Sequence, residues 1–259
     1  MEREKFTVKF AETNEERNAV FALRYRDMIL EYRPDNTNES GLDFSSADAY
    51  AKHAMCIDND TGDVVGSYRI ITSDSLPKTE RFVCEDEFDI SSLKATGERI
   101  AELSRAVVKR EYRNSVVLML LLRFVVKYLR EENYRFVIGE ASFFGTDKSV
   151  WQKEFSYCAH FHAITDFPIR ALEEEQIAIL PKEELDVPSI KRSLPPLIRA
   201  YLGFGAKVSA DSFTDREFGS VDIFILLDSK NYNDAYINRL LRLYCIFIRR
   251  FKHDITDFD

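Results

Sequence analysis

A mixed α/β fold, one central sheet flanked by helices, is what the 259-residue sequence predicts. Three observations carry this. Strand-like and helix-like segments follow one another in mixed order from the first residues to the last. The most apolar helix-like segment, residues 115–130, comes directly after a strand-like run, Ile100–Val108. No internal repeat or low-complexity linker divides the chain, so residues 1–259 read as one domain with a helical extension from about 229.

Each element has a local reason. Phe6–Phe10 alternates as a first strand. Thr13 with Glu16 three residues on is a capping box, opening a helix through Val20, Leu23, Met28 and Leu30. Residues 33–48 (RPDNTNESGLDFSSAD) are polar and turn-rich, a long loop. Residues 54–58 and 64–71 flank the DNDTGD turn as a hairpin. The 115–130 helix is apolar almost all round, hence central and covered. Residues 134–141 form a buried strand, 142–148 a loop and 149–163 a helix; 164–194 are irregular. Residues 197–202 make a short helix after Pro195-Pro196, 221–227 the last strong strand, and about 233–251 a closing helix.

Composition narrows the function. There are 36 Lys and Arg against 44 Asp and Glu, a net charge of −8, which excludes a dedicated nucleic-acid binder held by phosphate contacts. Any basic contact surface must be local. Cys56, Cys84, Cys158 and Cys245 form no CxxC pair, as suits reduced, buried thiols. MEREKFTVKF lacks the apolar stretch and cleavage site of a signal peptide. The longest apolar run, 116–122, is too short to span a bilayer. The expectation is a soluble, cytoplasmic protein.

The stretch AELSRAVVKREYRN (101–114) carries the chemistry. Regular alternation puts Glu102 and Ser104 on one side of the strand, Leu103 and Arg105 on the other. The following helix offers free N–H groups and a positive dipole end, to which Lys109, Arg110 and Arg113 add charge. Strand, cationic turn and helix N-terminus form a phosphate-binding arrangement. Neither GxGxxG nor a Walker pattern is present. A carboxylate ahead of a phosphate site suits acyl transfer from a pantetheine thioester whose arm runs along the strand. Glu102 would take a proton from an ammonium nucleophile, directly or through water. A backbone N–H near Val107 would receive the oxyanion. The competing reading makes Glu102 and Arg105 a structural ion pair and KREYR a solvated turn.

ELSR (102–105) together with VVGSYRI (64–70) resembles the acyl-homoserine-lactone synthases. The downstream half resembles the bacterial N-acyltransferases that acylate ornithine and other amino acids. The matching stretches are LRYRDMILE (23–31), DVVGSYRI (63–70), AELSRAVVKREYRN (101–114) and IGEASFFGTDK (138–148), then LPPLIRAYLGFGAKV (194–208) and DSFTDREFGSVDIFIL (211–226). The resemblance implies a GNAT-like acyltransferase fold. It implies a (3-hydroxy) fatty acyl donor on acyl carrier protein, or acyl-CoA, and an amino-acid acceptor, ornithine first. Glu102, Ser104 and Arg105 would be catalytic. Val107, Val108, Lys109, Arg110, Arg113 and Ser142 would meet the phosphopantetheine, and Arg24, Asp43 and Asp48 the acceptor. Ser104 and the Phe218-Gly219 pair depart from the ornithine pattern and leave the acceptor open.

Further expectations concern partners. Lys109, Arg110 and Arg113 with Arg123, Lys127 and Arg130 would dock an acidic carrier protein. The stretch INRLLRLYCIFIRRFKH could lie on an anionic membrane face, although a packed terminal helix is the ordinary reading. Arg69 would be costly to bury unpaired and is expected to support a carboxylate. Cys158, His160 and His162 read as structural or pocket-lining, not as a metal site, and no tightly bound cofactor is expected. Two rivals remain open: an acyl-homoserine-lactone synthase using S-adenosylmethionine, and a non-catalytic acyl-carrier or membrane-binding module.

Overall fold

Thr13 begins the helical architecture as expected, its hydroxyl accepting from Glu16 N–H while the Glu16 carboxylate reaches back to Thr13 N–H. The computed structural model describes residues 5–113, 116–173 and 177–239. Its main sheet has seven strands: β1 (Phe6–Phe10), β2 (Lys52–Asp58), β3 (Val64–Thr72), β4 (Ile100–Val108), β5 (Phe136–Phe144), β6 (Lys207–Asp215) and β7 (Ser220–Asp228). They lie in the order β1-β2-β3-β4-β5-β7-β6. All neighbours are antiparallel except β4 and β5. The main helices are α1 (Asn14–Arg24), α2 (Val117–Glu131), α3 (Gln152–His162), α4 (Val187–Ser193) and α5 (Pro196–Phe204).

Helix α2 lies on one face of the sheet, where Val117, Leu121 and Val125 share a core with Ala54, Tyr68 and Ile70. Gly66 on β3 makes the approach possible, since a Cβ there would lie 2.6 Å from Val117 Cγ1. Each fully buried Leu or Val stabilises by about 1.5–3 kcal/mol. The opposite face carries a second core that includes Phe82, Phe88, Ile100, Ile138 and Phe224. It sits beneath a 3₁₀ turn at Val83–Asp86 and a two-residue strand, Phe88–Asp89, paired with Arg170–Ala171. Val20 and Phe21 of α1 pack on Met55.

Several expectations need correction. The outer side of α2 keeps Lys127 and Arg130 exposed, so the helix is one-sided rather than apolar all round. β5 runs on to Phe144, which puts Ser142 in a strand rather than a loop. Residues 164–194 contain α4 and the small strand. β6 was not anticipated: KVSADSFTD is polar, lies at the sheet edge, and its pairing shifts between Val208 and Ser212, which erases alternation. A helix is described over 234–239; the rest of the expected closing helix, to about 251, and Cys245 lie outside the described residues. Cys56, Cys84 and Cys158 are buried and free. No helix among the described residues is long and apolar enough to cross a membrane.

Candidate active site

β4 and β5 are nine residues each but pair over only three, Ile100↔Phe136, Ala101↔Val137 and Glu102↔Ile138. Beyond that point they part. Gly139 stands at the divergence, where a Cβ would lie 2.4 Å from the Leu103 carbonyl oxygen. On its other side β4 is bulged: the register with β3 passes from Ser67↔Val107 to Arg69↔Ser104, three residues against two. Arg105 takes up the extra residue in a left-handed conformation, φ +52°, at a cost of about 1–2 kcal/mol. The β5-facing edge of residues 103–108 therefore has no strand partner among the described residues.

The bulge also redirects Arg105. Regular pleating would place it with Leu103, but its Nε lies 3.3 Å from Asp43 and its charge acts on Glu140. Leu103 instead lines an apolar cavity of about 30 Å³ between the sheet, α2 and α5, with Leu122, Val125, Gly139, Tyr201 and Phe204. The segment after α1 is a π-helical turn, Tyr25–Ile29, of the kind often found at functional sites. Tyr25, Met28 and Ile29 pack on Val107 of β4, while Tyr32 stacks on Phe144 of β5 at 3.8 Å. This segment therefore bridges the two parting strands.

The cationic turn is at the carboxyl end of β4, as the sequence suggests. Its charges are not equivalent. Lys109 pairs with Asp63 at 3.0 Å, and Arg113 pairs with Glu31 at 2.5 Å and donates to the Val108 carbonyl. Arg110 is 74% exposed, with Glu31 no nearer than 4.0 Å. Residues 114–115, between this turn and α2, lie outside the described residues.

Arg24 is fully buried and donates to both Asp48 oxygens and to Asp43. Burial would raise the Asp48 carboxyl, but the guanidinium beside it brings it down to about 2. Asp43 and Asp48 thus already hold a cation of the chain. Arg69 donates to Ser104 and Ser45, and its Nη2 has no partner among the described residues. Burial and the neighbouring Arg105 lower its pKa to about 10. Cys158, His160 and His162 do not converge: His160 meets the Leu180 carbonyl and His162 the Tyr157 hydroxyl.

Glu102 is fully buried, and its two oxygens accept from Val83 N–H and Cys84 N–H, both at 2.8 Å. Its carboxylate anchors the 83–86 turn in this conformation. Burial raises its pKa, and the two N–H donors oppose the shift. Beside it lies an acidic group that the sequence reading did not single out as a site: Glu87, Glu140, Asp215 and Asp222. Oxygens of Glu87, Asp215 and Asp222 lie within 4.8 Å of one another. Glu87 Oε2, Glu140 Oε1 and Asp222 Oδ1 are buried without a hydrogen-bond partner among the described residues. Burial, then the neighbouring Glu140 and Asp222, push Glu87 up to about 10. Burial likewise raises Glu140 well above the usual range, and Asp222 to about 6. Ser142 bonds to Asp222, so it belongs to this group rather than to the cationic turn.

A parallel pair that opens beyond three residues, with a bulged inner strand, belongs to a mixed α/β sheet of GNAT-like fold. Residues 23–123 match the family described as "Acetyltransferase (GNAT) domain". The particular relatives are L-ornithine N(alpha)-acyltransferases. That of Rhodobacter capsulatus is 29% identical over 248 residues, covering 91% of this chain and 96% of the relative. That of Brucella abortus is 29% identical over 239 residues, covering 90% and 81%. These bear out the family resemblance. Among solved structures, TofI in a ternary complex with an inhibitor and MTA superposes with a TM-score of 0.51 at 13% identity, covering 91% of this chain and 97% of that one. The CoA-dependent acyl-homoserine lactone synthase BjaI with MTA gives 0.50 at 14%, covering 88% and 82%. Both share the fold.

Proposed function

We propose that the chain moves a fatty acyl group from a phosphopantetheine thioester on acyl carrier protein to the α-amine of ornithine, giving an N-acylornithine. The unpartnered edge of β4 is the observation that carries this reading. An extended pantetheine arm can add to it as a strand would, with its amides meeting the free backbone groups of residues 103–108. The thioester then reaches the bulge at Arg105, and the acyl chain turns toward the apolar cavity beside Leu103. Arg110, with Lys109 and Arg113, would face the phosphate and the carrier protein. The relatives' activity on ornithine supports the acceptor.

The amine must lose a proton before attack. Glu102 was the expected base, but both of its oxygens are engaged by the 83–86 turn. Glu140 lies two residues past the last β4–β5 pair and keeps an unpartnered oxygen. Burial raises its proton affinity well above the usual carboxylate range, so its ionised form is a stronger base than an exposed carboxylate. In this reading the ammonium gives one proton to ionised Glu140, the freed nitrogen forms the amide C–N bond, and as the C–S bond breaks the nitrogen's second proton passes to the departing thiolate, releasing the carrier thiol. The test is to incubate purified protein with 3-hydroxyacyl carrier protein, ornithine and S-adenosylmethionine and read the products by mass spectrometry. N-Acylornithine is expected. An acyl-homoserine lactone, or no product from any acceptor, overturns the proposal.

A further inference from the structure

Beyond Glu140, Asp222 begins the argument. It is 3% exposed, yet only one of its oxygens accepts from Ser220; Oδ1 has no partner among the described residues. That carboxylate lies with those of Glu87 and Asp215 in a group spanning no more than 4.8 Å, and Glu87 Oε2 is also unpartnered. The charges that act most on Glu87 are themselves carboxylates: Glu140, Asp222, Asp215 and Asp86. Acids buried in this number either keep their protons, as the raised pKa values of Glu87 and Asp222 indicate, or exchange them for a cation that joins the oxygens.

We infer that Glu87, Asp215 and Asp222 form a subsite for a primary ammonium group, the side-chain ammonium of the acceptor proposed above. The inference rests on that reading for its substrate. An ammonium has three N–H donors and no acceptor, which matches three carboxylates converging from different segments. Glu87 follows the turn pinned by Glu102, while Asp215 and Asp222 come from β6 and β7. Glu140, on β5 two residues past its last pair with β4, neighbours both Glu87 and Asp222. An acceptor with its α-amine at Glu140 would extend its side chain into the subsite. The enzyme would then select diamino acids over monoamino acids of the same length.

The discriminating pair is ornithine and norvaline, which has no side-chain amine. Calorimetry on the full chain measures binding whether or not transfer occurs. Wild type should bind ornithine at least tenfold more tightly than norvaline, and Asp222→Asn should reduce that ratio to within a few-fold of one. The Asn side chain keeps the shape and its bond to Ser220, so a folded variant is expected; a melting curve checks it. Ser142→Ala, which removes only a hydroxyl bonded to Asp222, should lower the ratio less. Equal binding of both ligands by wild type overturns the subsite, as does an Asp222→Asn variant that weakens both in proportion. Tight calcium, magnesium or manganese binding lost in Asp222→Asn, with ornithine selectivity unchanged, assigns the carboxylates to a metal instead. Selective ornithine binding without N-acyl product would leave the subsite standing and overturn the proposed reaction.

Discussion

Glu102→Gln separates two roles for the carboxylate in the ELSR stretch. The carboxylate accepts one backbone N–H on each oxygen, from Val83 and Cys84, both at 2.8 Å in a fully buried site. The amide of Gln can accept on one side only; its NH₂ must oppose a backbone donor on the other. Losing a charge-assisted bond and leaving a buried donor unsatisfied costs roughly 2–3 kcal/mol. In a chain of this size that lowers Tm by about 4–12 °C. Because the turn leads into Glu87, the acceptor KM should rise along with the loss of stability. The assay is a melting curve beside steady-state kinetics, with acceptor and donor varied separately. An unchanged Tm with turnover down about a hundredfold, and acceptor KM unaltered, would refute this reasoning. It would return Glu102 to the position of general base.

The remaining predictions concern the donor end, the point of divergence and pH. Arg110→Glu should raise KM for a carrier-bound donor and make it less salt-dependent, with a smaller change for the CoA thioester; Arg113 is a poorer probe because its pair with Glu31 is structural. Kinetics across a salt series check this, and no change in either removes Arg110 from the docking surface. Gly139→Ala forces a methyl against the Leu103 carbonyl and should destabilise by about 1–3 kcal/mol, with donor KM raised, as denaturant unfolding and donor titration would show. For pH, Asp222 is buried among Glu87, Glu140, Asp215 and the hydroxyls of Ser142 and Ser220. Its folded pKa is raised to about 6, so the folded chain keeps a proton the unfolded chain releases. The stability this contributes, roughly 3 kcal/mol, is present at low pH and lost as pH rises from about 4 through 6. Acceptor kcat/KM should move the other way and rise as pH passes about 6. Unfolding free energies and acceptor kinetics from pH 4 to 8 test both signs.

Sequence alone placed β4 to the residue and put the cationic turn at its end, because a run of small and branched residues broken by charges has few other solutions. It assigned Arg24, Asp43 and Asp48 to the acceptor, whereas the structure pairs them with one another. Reach failed where geometry departs from regular alternation. Assigning Arg105 to the face of Leu103 assumed an unbroken pleat, and a single left-handed residue annuls that assumption for everything beyond it. Nothing in AELSRAVV announces a bulge. β6 escaped for a related reason, since its shifted register hides the period on which strand recognition depends.

The acidic group shows a different limit. Glu87, Glu140, Asp215 and Asp222 come from four segments, and each is locally an ordinary surface-type residue. Only the fold brings them together, and only their burial makes them unusual. The ELSR stretch draws attention because its charges lie inside a strand, yet those charges are largely engaged. Glu102 holds a turn, Ser104 accepts from Arg69, and Arg105 leans on Asp43. Groups so engaged can position a substrate's surroundings but have little left with which to receive it. Capacity for new bonds remains in the open edge of β4 and in the unpartnered oxygens of Glu87, Glu140 and Asp222. Those are the atoms to which a thioester arm and a diamine would be expected to come.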